Sequence, residues 1–89
     1  MKLKEDFVLR QVANTWVVLP LGDTALDFTS MVKLNDSGAL LWQVLENTPS
    51  KDALVSALIA EYDVTAEVAK ADVEEFLKVL LDFGCLEQD

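Results

Sequence analysis

Apolar residues near the start of the chain fall in two short runs, Phe7–Val12 and Thr15–Pro20, whose composition favours β-strands. The runs are separated only by Ala13–Asn14, and asparagine tolerates the positive φ that a tight hairpin turn requires. Pro20 has no amide hydrogen to donate, so it should lie at the end of the second strand. The pattern therefore predicts a β-hairpin.

A third strand is predicted over Asp27–Leu34, after a turn at Gly22–Asp23. Its side chains alternate between two faces. The face expected to meet the helices carries Phe28, Ser30, Val32 and Leu34, and the other face carries Asp27, Thr29, Met31 and Lys33. Three strands joined in sequence form a meander, and the third lies at its edge unless another segment covers it.

The spacing of apolar residues changes at Asn35 from that of a strand to that of a helix. Asn35 suits the N-cap because its side-chain oxygen can accept a hydrogen bond from an amide of the first turn. Asp36 lies in that first turn, where the helix dipole favours negative charge. One face of the predicted helix carries Gly38, Leu41, Trp42 and Leu45, and Trp42 is expected in the core.

Two further helices are predicted, with Ser50 and Thr65 as their N-caps. Their inward faces are expected to carry Leu54, Ala57, Leu58 and Tyr62 in the second helix and Ala69, Val73, Phe76, Leu77 and Leu80 in the third. Gly84 should end the third helix in a left-handed conformation, with Leu86 folding back on its last turn. The polar end Glu87–Gln88–Asp89 is expected to fray.

These elements predict an α+β fold in which a three-stranded antiparallel N-terminal sheet is followed by three helices. Two helices joined by a short turn beside a small sheet are also the parts of a winged helix-turn-helix. The length suits one domain over residues 1–89.

The charge of the chain limits its partners. Sixteen acidic residues against seven basic ones give a net charge of −9, the wrong sign for binding the phosphate backbone of a nucleic acid. Such a surface suits neutral or basic polypeptides. No apolar stretch is long enough to span a membrane, and the single cysteine with no signal-peptide h-region indicates the cytoplasm.

Residues that commonly carry catalysis or bind metals are scarce. The chain has no histidine, the commonest general base and transition-metal ligand. Cys85 would need a base to act as a nucleophile, and the nearby Asp82, Glu87 and Asp89 should raise its pKa instead. The adjacent Glu74–Glu75 are typical of a solvated helix face. We therefore expect no enzymatic activity, no cofactor and no metal site.

Three segments, taken in order, form a specific set. They are VLPLGDTALDFTSMVKLNDSGALLW, with the pattern LN-(D/E)-(S/T)-G-x-x-x-W, then LIAEYDVTAEVAKADVEEFLKVL, then Gly84–Cys85–Leu86. The set resembles the PqqD-like family of peptide chaperones, which supplies the leader-peptide recognition domain of ribosomal peptide maturation. The resemblance implies a winged helix-turn-helix fold, and as partners a precursor peptide and a radical SAM or other peptide-modifying enzyme.

A second stripe on the third predicted helix borders its inner one. It is either an ordinary boundary stripe or one flank of a groove whose other flank is the edge strand, to which an extended peptide can add by main-chain hydrogen bonds. The resemblance implies that a leader peptide binds between the two. The expected contacts are Asp27, Phe28, Thr29, Ser30, Met31, Val32, Lys33 and Leu34 of the strand, with Val68, Asp72, Glu75, Phe76, Val79 and Phe83 of the helix.

The first hypothesis is therefore a chaperone that captures the leader of a precursor peptide and presents it to a modifying enzyme. A winged-helix DNA-binding regulator is one alternative, although the third helix carries two lysines against five acidic residues. A structural subunit that docks on a larger enzyme is another.

Overall fold

Within residues 1–22 and 32–87, which are the part of the chain that the structure describes, the computed structural model has five strands and three helices. They are β1 (Lys2–Leu3), β2 (Phe7–Val12), β3 (Thr15–Pro20), β4 (Val32–Leu34), α1 (Asp36–Asn47), α2 (Lys51–Glu61), α3 (Ala66–Asp82) and β5 (Leu86–Glu87). This α+β arrangement, a three-stranded antiparallel sheet followed by three helices, confirms the predicted fold class. The winged helix-turn-helix assignment stays a prediction.

The predicted hairpin is present, and β2 pairs with β3 in antiparallel register from Phe7–Pro20 to Val12–Thr15. The positive φ of its turn was expected at Asn14 but lies at Ala13, with a value of 56°. A two-residue turn can place positive φ at its first position alone, and the short side chain of alanine tolerates it there at a modest cost. The strand ends at Pro20, as predicted.

The sheet has the order β2-β3-β4, so β4 lies at its edge, as the sequence predicts. In β4 the side chain of Val32 is buried, Lys33 is exposed and Leu34 is half-buried, which matches the predicted alternation. The rest of the predicted third strand, residues 27–31, lies outside the described residues. The described edge is therefore three residues long and leads directly into α1.

Each helix begins at the residue that the sequence predicts. The side-chain oxygens of Asn35, Ser50 and Thr65 each accept a hydrogen bond from the backbone amide three residues later, at 2.8, 3.4 and 3.2 Å. These bonds satisfy amides that have no partner within the helix. The Asn35 cap fixes where β4 ends and α1 begins, and the Ser50 and Thr65 caps fix where α2 and α3 begin.

The helices and the sheet enclose a core that includes the predicted inner residues of α1 and α3. Trp42 is 2% exposed, and the other buried core residues include Val18, Val32, Leu41, Leu45, Leu54, Leu58, Ala69, Val73, Phe76, Leu77, Leu80, Cys85 and Leu86. The prediction that Tyr62 points inward is wrong, since this side chain is 38% exposed. The helix ends at Glu61, and the extended backbone at Tyr62 turns its side chain off the inner face.

A second, two-stranded sheet was not predicted. Here β1 pairs with β5, joining Leu3 to Leu86 and Lys2 to Glu87, and the Lys4 amide donates a hydrogen bond to the Cys85 carbonyl at 2.9 Å. Gly84 has the predicted left-handed φ, 75°, and turns the chain from α3 into β5. Glu87 was expected to fray but lies in this pairing, while residues 88 and 89 are outside the described residues.

Candidate functional site

A groove of about 510 Å³ opens between the edge strand β4 and the helix α3, and the first turns of α1 close its base. Its lining residues are Lys33, Leu34, Asn35, Ser37, Gly38, Leu41, Asp72, Glu75, Phe76 and Val79. The groove exists because β4 passes directly into α1 at Asn35, which places the edge strand of the described sheet beside α3.

The base of the groove is apolar. Gly38, Leu41 and Phe76 are buried there, while Leu34 and Val79 form half-buried walls. A Cβ atom on Gly38 would lie 3.2 Å from Leu34 Cβ and 3.2 Å from Asn35 Oδ1, closer than ordinary van der Waals contact. The missing side chain of Gly38 therefore lets α1 start close against β4 and leaves the base of the groove open.

The corner between β4 and α1 is held by side-chain hydrogen bonds. Asn35 Oδ1 accepts one from the Gly38 amide at 2.8 Å and another from the Ser37 hydroxyl at 2.9 Å. Asn35 and Ser37 thus lie at the groove but are engaged with each other. Their polar groups stabilise the corner, and the apolar residues beside them provide the surface for a bound group.

The rim of the groove is charged and differs between its two sides. Asp72 and Glu75 are exposed on α3, and Lys33 is exposed on β4. None of these three side chains forms an ion pair or hydrogen bond with a residue of 1–22 or 32–87. By contrast, Glu74 of α3 forms an ion pair with Lys51 at 3.0 Å.

The one thiol of the chain is not among the residues that line the groove. Cys85 lies elsewhere, fully buried, and its burial raises the pKa of the thiol to about 11 despite the opposing charge of Lys4. Neighbouring carboxylates were expected to raise this pKa, whereas the principal cause is desolvation. In the described ranges no cluster of three or more His, Cys, Asp or Glu side chains could hold a metal ion.

No helix in residues 1–22 and 32–87 combines the length and apolarity that crossing a bilayer demands.

The structure brings six of the predicted site residues together at the groove: Lys33, Leu34, Asp72, Glu75, Phe76 and Val79. Val32 is buried beneath the sheet and does not line it. Val68 and Phe83, respectively 47% and 38% exposed, lie toward the two ends of α3 and do not line it either. Five predicted residues, Asp27, Phe28, Thr29, Ser30 and Met31, lie outside the described residues.

Four groove residues were not predicted as part of the site: Asn35, Ser37, Gly38 and Leu41. The sequence assigned Asn35 to capping and the apolar ones to the core. A glycine in the first turns of a helix, where it weakens the helix, is the signal that could have indicated a close approach of two elements.

The chain is similar to a known protein family and to solved structures. The family model described as "Coenzyme PQQ synthesis protein D (PqqD)" matches residues 15–86. The structure of TbiB1 in complex with the TbiA(beta) leader peptide is similar at 26% identity with a TM-score of 0.80, covering 100% of this chain and 98% of that one. A search of curated proteins gave no match.

A second solved structure, lasso peptide synthetase B1 complexed with the leader peptide, is 23% identical with a TM-score of 0.79. The alignment covers 98% of this chain and 96% of that one, and at this identity it shows the shared fold. The family match spans most of the chain, from β3 through β5. The chain therefore belongs to the PqqD family.

Proposed function

We propose that this chain is a recognition domain for the leader segment of a ribosomally made precursor peptide. The single observation that carries the proposal is the groove, because it combines an open strand edge, an apolar base and a flanking helix. Membership of the PqqD family and the likeness to TbiB1, whose structure contains a leader peptide, support the same function.

Binding would follow the physics of strand addition. An edge strand has backbone N–H and C=O groups with no partner in the sheet, so an extended peptide can pair with them along β4. Main-chain hydrogen bonds then supply affinity for any extended segment. Alternate side chains of the peptide point toward the groove, where Leu34, Phe76 and Val79 would select apolar groups.

The proposed contacts are the full predicted set together with the newly found base of the groove. They comprise residues 27–34, Val68, Asp72, Glu75, Phe76, Val79 and Phe83, to which Gly38 and Leu41 are added. We expect the largest effects at Gly38, Leu41, Phe76 and Val79, since these residues line the groove and are at least half-buried.

The chain acts in this proposal as one binding domain over residues 1–89, without catalysis, located in the cytoplasm. It would hold the leader while a separate enzyme modifies the rest of the precursor. A radical SAM enzyme is the partner that the sequence resemblance implies. A subunit that docks on such an enzyme and binds no peptide is the alternative, and direct peptide titration in the absence of the enzyme separates the two.

The DNA-binding alternative has little support. Helix α3, the candidate recognition helix, carries Lys70 and Lys78 as its only basic residues. They are outnumbered by Glu67, Asp72, Glu74, Glu75 and Asp82. Neutralisation of phosphates needs an excess of basic residues on the surface that meets the duplex.

A titration monitored by NMR tests the proposal. The isotope-labelled chain is titrated with the leader of the precursor encoded beside its own gene, and amide shifts are expected along β4, the start of α1 and the groove side of α3. The variant Val79→Asp should bind weakly because it puts a charge on the apolar wall, whereas Lys70→Gln, outside the groove, should bind normally. Absence of binding, or shifts clustered away from the groove, would contradict the proposal.

A further inference from the structure

We propose that Asp72 and Glu75 make the groove selective for an extended peptide that carries a lysine or arginine facing α3. The inference rests on the proposed function and adds the chemistry of the peptide to it. It depends on how charge is distributed around the groove.

The carboxylates of α3 are of two kinds. Asp72 and Glu75 are three residues apart and therefore share a face of the helix, the one that lines the groove. Neither has an ionic partner within the described part of the chain. Glu74 points elsewhere, lines a separate cavity with Lys78 and is paired with Lys51 at 3.0 Å.

Two carboxylates that pair with no residue of the described ranges, beside an apolar channel, favour one type of side chain. Lysine and arginine can lay their methylene stems along apolar walls while the charged head reaches a more polar rim. Here the stem would lie against Leu34 and Val79, and the head would meet Asp72 and Glu75. Glutamate or aspartate in the same place would be repelled by both carboxylates.

Lys33, on the rim opposite α3, adds a preference for how charged side chains alternate along the bound peptide. In a strand paired with β4, successive side chains alternate between the side of Leu34 and the side of Lys33. A basic residue directed at α3 would thus be flanked by residues directed toward the side of Lys33, where an acidic or neutral side chain is favoured. The net charge of −9 acts in the same direction, since it attracts basic peptides over long range.

Synthetic peptides of defined charge test the inference. The probes are capped twelve-residue peptides of alternating threonine and valine, in which each position in turn is lysine, glutamine or glutamate. We expect the best lysine peptide to bind about 5- to 20-fold more tightly than its glutamate counterpart, as exposed ion pairs and repulsions allow. The difference should shrink between about 0.05 and 0.5 M salt, because screening shortens the range of exposed charges.

Two variants locate the effect on the protein. The double variant Asp72→Asn with Glu75→Gln should bind the lysine, glutamine and glutamate peptides with equal affinity. The control Glu74→Gln removes a carboxylate outside the groove and should keep the order of affinities, with lysine tightest and glutamate weakest. Circular dichroism checks that both variants are folded. These results together would support the inference.

Other results would overturn it. Equal binding of the three peptide series, or an order that persists in the double variant, would remove the inference and leave leader binding intact. Failure of all three series to bind would also remove it, and the separate titration with the precursor leader then decides whether the proposed function stands.

Discussion

The side chain of Asn35 accepts a hydrogen bond from the backbone amide of Gly38 at 2.8 Å, and both residues also line the groove. One corner of the chain thus starts α1 and forms one end of the candidate site. The stability of the first helical turn and the shape of the groove therefore depend on the same few atoms.

Replacing the cap should destabilise the fold. Asn35→Ala removes the acceptor of both the Gly38 amide and the Ser37 hydroxyl, so we expect a loss of about 1 kcal/mol in the free energy of unfolding. Urea denaturation measures it. Asn35→Asp keeps an oxygen in the capping position and should lie close to wild type, and an equal loss in both variants would show that the cap is not the cause.

Adding a methyl group at the same corner should not bring its usual benefit. Alanine is favoured over glycine in a helix by about 1 kcal/mol. The Cβ of Gly38→Ala would meet Leu34 Cβ and Asn35 Oδ1 at 3.2 Å, so β4 or α1 must move. We expect Gly38→Ala to be no more stable than wild type in urea denaturation and to bind leader peptide more weakly. A gain in stability of about 1 kcal/mol would show that β4 and α1 move apart at little cost to accept the methyl group.

Two valines of α3 provide a matched comparison for binding. Val79 lines the groove, whereas Val68 is 47% exposed and lies outside it. Val79→Ala should weaken leader binding about five- to tenfold, in keeping with the apolar surface that its two methyl groups would otherwise bury. Val68→Ala removes the same atoms from a proposed contact at the margin of the site, outside the groove, and should change the dissociation constant less than twofold. Isothermal titration calorimetry measures both, and equal losses would mean that the peptide extends to the start of α3.

The buried thiol predicts a change of stability in alkali. Burial raises the pKa of Cys85 from 9.0 to about 11, so the folded state holds this proton more tightly than the unfolded state. The resulting contribution to stability is complete below pH 9 and is lost as the pH rises from 9 to 11.

Comparison with Cys85→Ala isolates this contribution from the other groups that titrate in alkali. The difference in unfolding free energy between the wild type and the variant should decrease between pH 9 and 11, as measured by urea denaturation at each pH. The native thiol should also resist labelling at pH 8 until urea unfolds the chain. A difference that is constant with pH would contradict the assignment.

The unpredicted pairing of β1 with β5 should stabilise the fold mainly through the buried side chain of Leu86. Leu86 is 5% exposed, and Leu86→Ala should cost about 2 to 5 kcal/mol because it leaves a cavity. Lys2 lies 3.8 Å from Glu87, with both side chains largely exposed. Lys2→Ala should therefore cost less than about 1 kcal/mol. Thermal denaturation of the two variants shows which substitution costs more stability. A larger loss for Lys2→Ala than for Leu86→Ala would contradict the prediction.

The sequence predicted well those elements whose signals are local. The caps at Asn35, Ser50 and Thr65 and the inner stripe of α3 depend on residues within one or two turns of each other. The strands β1 and β5 were missed because each has two residues, too few for any periodicity, and their partners are distant in sequence. Tyr62 was misplaced because helical spacing continues in the sequence beyond the residue at which α2 ends.

Only the parts of the groove that have local signals in the sequence were predicted. Its α3 side follows from a stripe within one helix, and its β4 side follows from a strand at the edge of a meander. The base follows from neither, because the contact of Gly38 with Leu34 depends on the angle at which α1 leaves the sheet. The spacing of residues along the chain carries no information on that angle.

The division of the groove into a buried base and an exposed rim limits how its specificity can change. Leu41 and Phe76 belong to the hydrophobic core as well as to the groove, so a substitution there that suited another peptide would also cost stability. Lys33, Asp72 and Glu75 are exposed, and their side chains form no ion pair or hydrogen bond within the described residues. A duplicated copy of this chain would therefore acquire a new peptide most readily by exchanging charges on the rim, with its folding unchanged.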